Sequence, residues 1–181
     1  MADVAERYRK LAAQFTDRVS SVPTDAWENQ TPCDDWVARD VIKHMVDTAG
    51  FFLGRVGIEV NGPSADDDPV GAWLAVRGAM QQALDDPKLA GVEYDTPMGK
   101  STFEQTMRMF GLGDVLMHTW DLSRATGLDE TLDAEEVHTF LTTLEPMDEM
   151  MRQGTAFGPR VPVPDSADEQ TKLIAFTGRQ P

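Results

Sequence analysis

Residues 110–127 read FGLGDVLMHTWDLSRATG and contain an unusual helical pattern. Apolar residues recur every three or four positions, which predicts an α-helix, and Gly127 is a typical helix stop. Three polar residues share this spacing, so they lie on the apolar stripe rather than opposite it. We predict a fourth helix of the chain over residues 102–126. Its stripe would consist of Phe103, Met107, Phe110, Asp114, His118, Asp121 and Ala125.

Polar side chains on a buried stripe need partners. A carboxylate buried without one costs several kcal/mol or shifts its pKa until it is neutral. In one interpretation Asp114 and His118 share a hydrogen bond in the core, since side chains four apart on a helix are neighbours. In the other they converge on a metal ion, which supplies the compensating charge. The spacing alone leaves both interpretations open.

A metal ion would need a third ligand, and the chain has 3 histidines. We predict a second helix from Asp35, as its cap, to about Gly57, with Val37, Val41, His44, Thr48, Phe51 and Phe52 on one stripe. His44 therefore points inward, toward the expected position of the fourth helix. His138 lies off the apolar face of the fifth helix, beside Glu136, and we expect it to be solvated.

The rest of the chain also reads as helical. A first helix covers residues 3–22, a third follows Asp68 and Pro69 and stops near DDPK, and a fifth starts after Asp133 and packs through Val137, Leu141, Leu144 and Met151. Residues 89–101 form a short hairpin or only an extended loop. The proline-rich tail should wrap across the bundle surface. An all-α bundle follows from these patterns.

Length and composition narrow the class of protein. At 181 residues the chain suits a single domain, residues 1–181. The net charge of −15 repels phosphate backbones and anionic lipids, which argues against nucleic acid as a partner. Cys33 is the lone cysteine and suits a reducing compartment, so we expect a cytoplasmic location. No segment approaches the ~20 apolar residues of a membrane span. The oligomeric state stays open, a homodimer included.

Two segments carry a family resemblance. WVARDVIKHM (residues 36–45) and DVLMHTWDLSRATG (residues 114–127) resemble DinB-like metal-binding four-helix bundles. The likeness is greatest to the actinobacterial branch related to the N-terminal domain of mycothiol-dependent maleylpyruvate isomerase. It extends from the first helix to the ending LIAFTGRQP.

The resemblance implies a DinB-like four-helix bundle with an extra C-terminal helix, and a divalent metal, zinc or nickel. His44, Asp114 and His118 correspond to the metal ligands, with aspartate where the isomerase-like pattern has glutamate. Aspartate is one methylene shorter, so the metal would lie closer to the fourth helix or be held more weakly. Asp121 matches the aspartate that follows in the motif, and we interpret it as orienting a ligand or as a structural residue that caps a neighbouring group. The isomerase has a further C-terminal domain that this chain lacks, so the isomerase reaction itself is not expected.

Three protein ligands leave a coordination position open, as in catalytic zinc sites. In understood relatives this position is thought to bind a low-molecular-weight thiol, which a metal ionises. We therefore expect a metal-dependent thiol transferase or isomerase that uses mycothiol or a similar thiol on a small electrophile. The alternative is a non-catalytic metal-binding or stress-response module. Two histidines and a carboxylate also form the ligand set of non-haem iron oxygenases, which the fold analogy disfavours.

We do not assign the other polar residues of the sequence to the metal site. Cys33 lies eleven positions before His44, so we interpret it as a surface or packing thiol. The acidic run ADDDP before the third helix is explained by capping and the helix dipole. Arg124, one turn beyond Asp121, could pair with that carboxylate or meet an anionic substrate, and the sequence does not choose.

Overall fold

A computed structural model of the chain describes residues 3–96, 99–152 and 157–181, without the side chains of Met150 and Met151. Helices dominate, which confirms the all-α bundle. Among the described residues, no helix has the length and apolar character needed to cross a membrane. The helices are α1 (Val4–Ser21), α2 (Ala38–Gly54), α3 (Pro69–Asp85), α4 (Pro87–Ala90), α5 (Phe103–Thr106), α6 (Leu112–Thr126), α7 (Ala134–Leu144), α8 (Asp148–Met151) and α9 (Glu169–Phe176). A π-helical turn, Met107–Gly111, joins α5 to α6, and a 3₁₀ turn, Glu145–Met147, joins α7 to α8.

Four long helices enclose the main core. α1 packs against α3 and α6, and α2 packs against the same two helices, so α1 and α2 occupy opposite corners. The inward face of α1 is buried as its spacing predicts, and Phe15 meets Trp73 of α3 edge to face at 4.7 Å between ring centroids. Because α2 and α6 are neighbours in this arrangement, side chains on their facing sides can meet.

The start of α2 differs from the prediction. Asp35 does not cap the helix, because its backbone is left-handed, with φ of 62°. The helix begins at Ala38, where the Asp40 carboxylate accepts the N–H of Val37 at 3.0 Å. Phe51, predicted on the apolar stripe, is exposed and lies beneath the Arg55 guanidinium.

The segment between α2 and α5 contains a capped helix and a hairpin. Asp68 accepts the N–H of Gly71 at 2.8 Å and thereby caps α3, as predicted. The strands β1 (Glu93–Thr96) and β2 (Gly99–Thr102) pair antiparallel, with Glu93 opposite Thr102. The hairpin alternative is therefore correct, and its turn lies outside the described residues.

The predicted fourth helix is interrupted by the π turn. Such a turn holds one residue more than the α period allows, so it rotates the residues that follow. Phe110, predicted on the buried stripe, is 44% exposed, while Met107 and Gly111 face the core. The α period resumes in α6, which buries His118 and Asp121 and ends at Gly127 with φ of 70°.

The C-terminal part is more helical than predicted. Asp133 caps α7, whose predicted apolar residues are buried; the side chain of Met151 lies outside the described residues. The tail does not only wrap over the surface, because Glu169–Phe176 forms α9 and packs against α7. Its four apolar residues are consecutive, Leu173 to Phe176, and all are buried. A run of this kind has no helical period, which is why the sequence did not indicate a helix.

Gly113 permits close packing between α6 and α7 beside Asp114. A Cβ atom there would clash with Cε1 of the buried Phe140 ring. We expect Gly113→Ala to lower the free energy of unfolding by about 1–2 kcal/mol. Overpacking costs about 1–3 kcal/mol, and the better helix propensity of alanine returns up to about 1 kcal/mol. Urea unfolding measures the difference.

Gly50→Ala is the matched control for this substitution. Gly50 lies inside α2, and a Cβ there would meet no atom within 4 Å. This variant should gain up to about 1 kcal/mol from helix propensity alone. The same stabilisation in Gly113→Ala would show that Phe140 does not restrict this position.

Candidate metal centre

His44, Asp114 and His118 meet between α2 and α6. His44 comes from α2, and the other two lie one turn apart on α6. The Nε2 atom of His44 lies 3.2 Å from each carboxylate oxygen of Asp114. The Nε2 atom of His118 lies 3.3 Å from Oδ1 of the same carboxylate. The structure thus brings together the three residues selected from the sequence.

The spacing of these atoms fits a single metal ion. One ligand atom from each of the three residues lies within 4.8 Å of the other two. Two ligands bound about 2.1 Å from a tetrahedral zinc ion are about 3.4 Å apart, close to the distances between Asp114 and each imidazole. Two imidazole nitrogens and a carboxylate oxygen are also a common donor set for such ions.

One side of the cluster is open to solvent. The side chains of His44 and Asp114 are 31% and 24% exposed, whereas that of His118 is 7% exposed. Three ligand residues with an accessible side resemble catalytic rather than structural zinc sites, which are closed by four protein ligands.

Trp36 forms a wall of the cluster. Its ring lies 5.8 Å from that of His118, nearly parallel to it, and 5.0 Å from that of His44. Trp36 precedes α2, and its carbonyl accepts the N–H of Thr31, which holds the loop in place. Helical spacing could not select this residue because it lies outside the helix.

A buried ion pair supports His118 from behind. Nδ1 of His118 lies 2.8 Å from Oδ2 of Asp121, whose side chain has no exposed surface. The guanidinium of Arg179 donates to both oxygens of Asp121, at 2.6 and 2.8 Å. The predicted orienting role of Asp121 agrees with this contact. The sequence did not select Arg179, since no spacing links two residues 58 positions apart.

Cys33 lies against this ion pair, although we expected it at the surface or in general packing. Its Sγ atom is 3.5 Å from Oδ2 of Asp121 and 3.5 Å from a nitrogen of Arg179. The eleven-residue separation from His44 was misleading because much of it is loop rather than helix. Burial, and then the negative charge of Asp121, raise the pKa of the Cys33 thiol to about 11.

Cys33, His118 and Asp121 also lie close enough to be considered as metal ligands. Two observations argue against this second set. Both oxygens of Asp121 already accept hydrogen bonds from Arg179, whose positive charge supplies the compensation that an ion would give. Nδ1 of His118, the ring nitrogen on this side, is already in a hydrogen bond with Asp121, at 2.8 Å.

His138 and Arg124, which the sequence analysis also considered, lie outside the cluster. His138 is mostly exposed, as predicted, and Nδ1 lies 2.9 Å from a carboxylate oxygen of Glu169. Arg124 does not pair with Asp121; its Nε donates to Glu130 at 2.9 Å, and its guanidinium covers the Trp120 ring.

The cluster keeps its charges without a metal. Burial disfavours the charged form of His118, but hydrogen bonds with Asp114 and Asp121 outweigh it and raise its pKa to about 9. Burial also opposes ionisation of Asp114, yet hydrogen bonds with His118 and His44 hold its pKa well below the usual range. A proton on His118 therefore supplies the positive charge that a metal would replace.

Comparison with known proteins places the chain in a family. Residues 8–123 match the family model described as the mycothiol maleylpyruvate isomerase N-terminal domain, and the chain belongs to this family. This confirms the resemblance seen in the sequence. The matched range contains the three clustered residues and Asp121, but not Arg179.

Two relatives come from two strains of Mycobacterium tuberculosis. They are "Uncharacterized protein MT0763" and "Uncharacterized protein Rv0738", each 27% identical to this chain over 175 residues. The matched segment covers 95% of this chain and 95% of each relative. No solved structure matches the chain.

We expect substitution of Arg179 to destabilise the fold. Arg179→Leu removes the bidentate partner of the buried Asp121 carboxylate, and breaking a buried pair in this way costs about 3 kcal/mol or more. We expect that loss in the free energy of unfolding measured with urea. The matched control is Arg9→Leu, because Arg9 pairs with Asp85 at the surface, at 2.7 Å. The control should lose about 1 kcal/mol or less. Similar losses in the two variants would contradict the importance of the buried pair.

Proposed function

We propose that the protein binds a divalent metal, zinc or nickel, through Nε2 of His44, a carboxylate oxygen of Asp114 and Nε2 of His118. The observation that carries this proposal is the convergence of these atoms between α2 and α6, with one side accessible. Membership of the isomerase N-terminal domain family supports it. We extend the proposal to residues 1–181 as one metal-binding domain that works in the cytoplasm.

Asp121 and Arg179 prepare His118 for this role. Asp121 accepts a hydrogen bond from the Nδ1–H of His118, so the lone pair of the neutral ring lies on Nε2, which faces Asp114. A carboxylate behind the imidazole is the usual support for a metal-bound histidine, because it fixes the tautomer and the ring orientation. Burial opposes ionisation of Asp121, but hydrogen bonds with His118 and Arg179 outweigh it and lower the pKa of that carboxyl to about 2.

The accessible side of the cluster would admit the thiol. We assign it a low-molecular-weight thiol of the mycothiol type, which the family description names, and a small electrophile as the second substrate. A bound divalent cation lowers the pKa of a thiol that reaches it and thus provides a thiolate at neutral pH. Trp36 shields one side of this position. The Sγ atom of Cys33 contacts Asp121 and Arg179, and Cys33 is not one of the proposed ligands. The reaction class is a thiol transfer or an isomerisation that depends on the thiol.

Metal content tests the ligand assignment. After reconstitution, elemental analysis should find about one ion per wild-type chain and little in His44→Ala or His118→Ala, because each variant removes a ligand. His138→Ala is the matched control, as His138 lies at the surface and should not affect binding. Asp121→Asn should weaken metal affinity by about 10–100-fold, less than His118→Ala. Wild-type protein without stoichiometric metal would favour the hydrogen-bonded core pair instead.

Metal-reconstituted protein also tests the proposed binding of a thiol. Wild-type protein reconstituted with cobalt(II) should develop a thiolate-to-metal absorption band when titrated with mycothiol, and His118→Ala should not. A methylated form of the thiol is the control ligand, because it cannot ionise. If cobalt binds stoichiometrically and no band appears, the protein is better described as a non-catalytic metal-binding module.

A further inference from the structure

Away from the candidate metal centre, a cavity of 610 Å³ lies between β2, the π turn and α7. We call it the β2–α7 groove. Its apolar wall is formed by Met109, Phe110, Phe140, Leu144 and Met147. His44, Asp114 and His118 do not line it. Its volume is within the ~300–1,000 Å³ typical of pockets for small organic ligands.

The π turn exposes apolar side chains to this groove. Met109 and Phe110 are consecutive and are 48% and 44% exposed. In an uninterrupted α-helix, the spacing from Phe103 would place Phe110 on the buried stripe. Large contiguous apolar patches are typical of binding surfaces, and here the two exposed side chains adjoin a cavity whose wall is also apolar.

The charge of the lining is opposite to that of the protein. The chain has 31 acidic residues and 16 lysines and arginines, yet the described lining contains Arg7, Lys100 and Arg108 and no carboxylate. Arg7 is neutralised by Glu136 at 2.6 Å, and Arg108 pairs with Glu104 at 3.1 Å. Lys100 has no ion pair within the described parts of the chain. Its cross-strand neighbour is Asp95. Within the described lining, Lys100 is therefore the cation that is not held in an ion pair.

The hydroxyl groups of the lining are already used as donors. The threonines on helical turns donate to carbonyls of the preceding turn: Thr106 to Thr102, Thr139 to Glu135 and Thr143 to Thr139, at 3.0, 2.8 and 2.7 Å. The hydroxyls of the hairpin also donate to carbonyls, Thr96 to Gly99 at 2.7 Å and Ser101 to Thr102 at 3.3 Å. The charged donors left for a ligand are Lys100 and the remaining nitrogens of Arg108 and Arg7, beside the neutral amide of Gln105. A ligand with an apolar body and a hydrogen-bond-accepting anion matches this inventory.

We propose that the β2–α7 groove binds an apolar organic anion, a carboxylate carried on a hydrocarbon chain or ring system. The hydrocarbon contacts Met109, Phe110 and Phe140, and the carboxylate faces Lys100. This site is separate from the metal centre and does not depend on the proposed function.

Decanoate is the probe, with 1-decanol and decyltrimethylammonium as matched ligands that have a neutral or positive head. Isothermal titration of the wild-type protein should give one decanoate site at least tenfold tighter than either analogue. Since a carboxylate could also reach a bound metal, the titration is repeated after dialysis against a chelator. The groove requires the same affinity in both preparations, and decanoate binding that vanishes with the metal would overturn the proposal.

Surface substitutions locate the site. Lys100→Gln should lower decanoate affinity about tenfold without changing that of 1-decanol, and Phe110→Ser should weaken both. Lys88→Gln and Leu74→Ser are the matched controls, since both residues are exposed and lie outside the groove. All four positions are solvent-exposed, so circular dichroism should show unchanged folding.

Two further results would overturn the proposal. The first is equal affinity for the three ligands, or equal losses in the control variants, which would mean unspecific apolar binding. The second is a wild-type dimer in sedimentation analysis that Phe110→Ser dissociates and that binds no decanoate. A second copy of the chain would then cover the groove.

Discussion

The carboxylate of Asp121 is fully buried and is held between Nδ1 of His118 and the guanidinium of Arg179. A charge in such a place is tolerated only when it is paired and hydrogen-bonded on each side. The pairing joins α6 to the end of the chain, beyond α9. It also fixes the ring of His118, so the stability of this contact and the geometry of the candidate metal centre depend on the same atoms.

The packing of the four long helices places His44 of α2 beside Asp114 and His118 of α6. α2 and α6 are neighbours, while α1 lies opposite α2, so only the α2 face that carries His44 can meet Asp114 and His118. Asp114 is shared between the two imidazoles, so one negative charge lies where two ring nitrogens converge. That arrangement suits a divalent cation, and in its absence a proton on His118 balances the charge.

The π turn has effects on two surfaces of the protein. By adding a residue to the helix it directs Gly111, in place of Phe110, toward the core, and it leaves Met109 and Phe110 facing the β2–α7 groove. The same segment therefore leads into the candidate metal centre on one side and forms an apolar, locally cationic groove on the other. π turns of this kind are frequently found at functional sites, because they change which side chains face a cavity.

The local sequence pattern was sufficient to predict much of the secondary structure and the residues of the candidate site. Helical spacing identified α1, α2, α3 and α7, the caps Asp68 and Asp133 marked helix starts, and the polar residues on the stripe of α6 indicated a site with His44. These features depend on neighbours within a turn or two of the chain. Tertiary structure decided the rest: the pairing of Asp121 with Arg179, the position of Cys33 and Trp36, the packing of α9, and the exposure of Phe110. Each of these arises from contacts between residues far apart in sequence or from a change of helical period, and neither leaves a spacing that the sequence alone reveals.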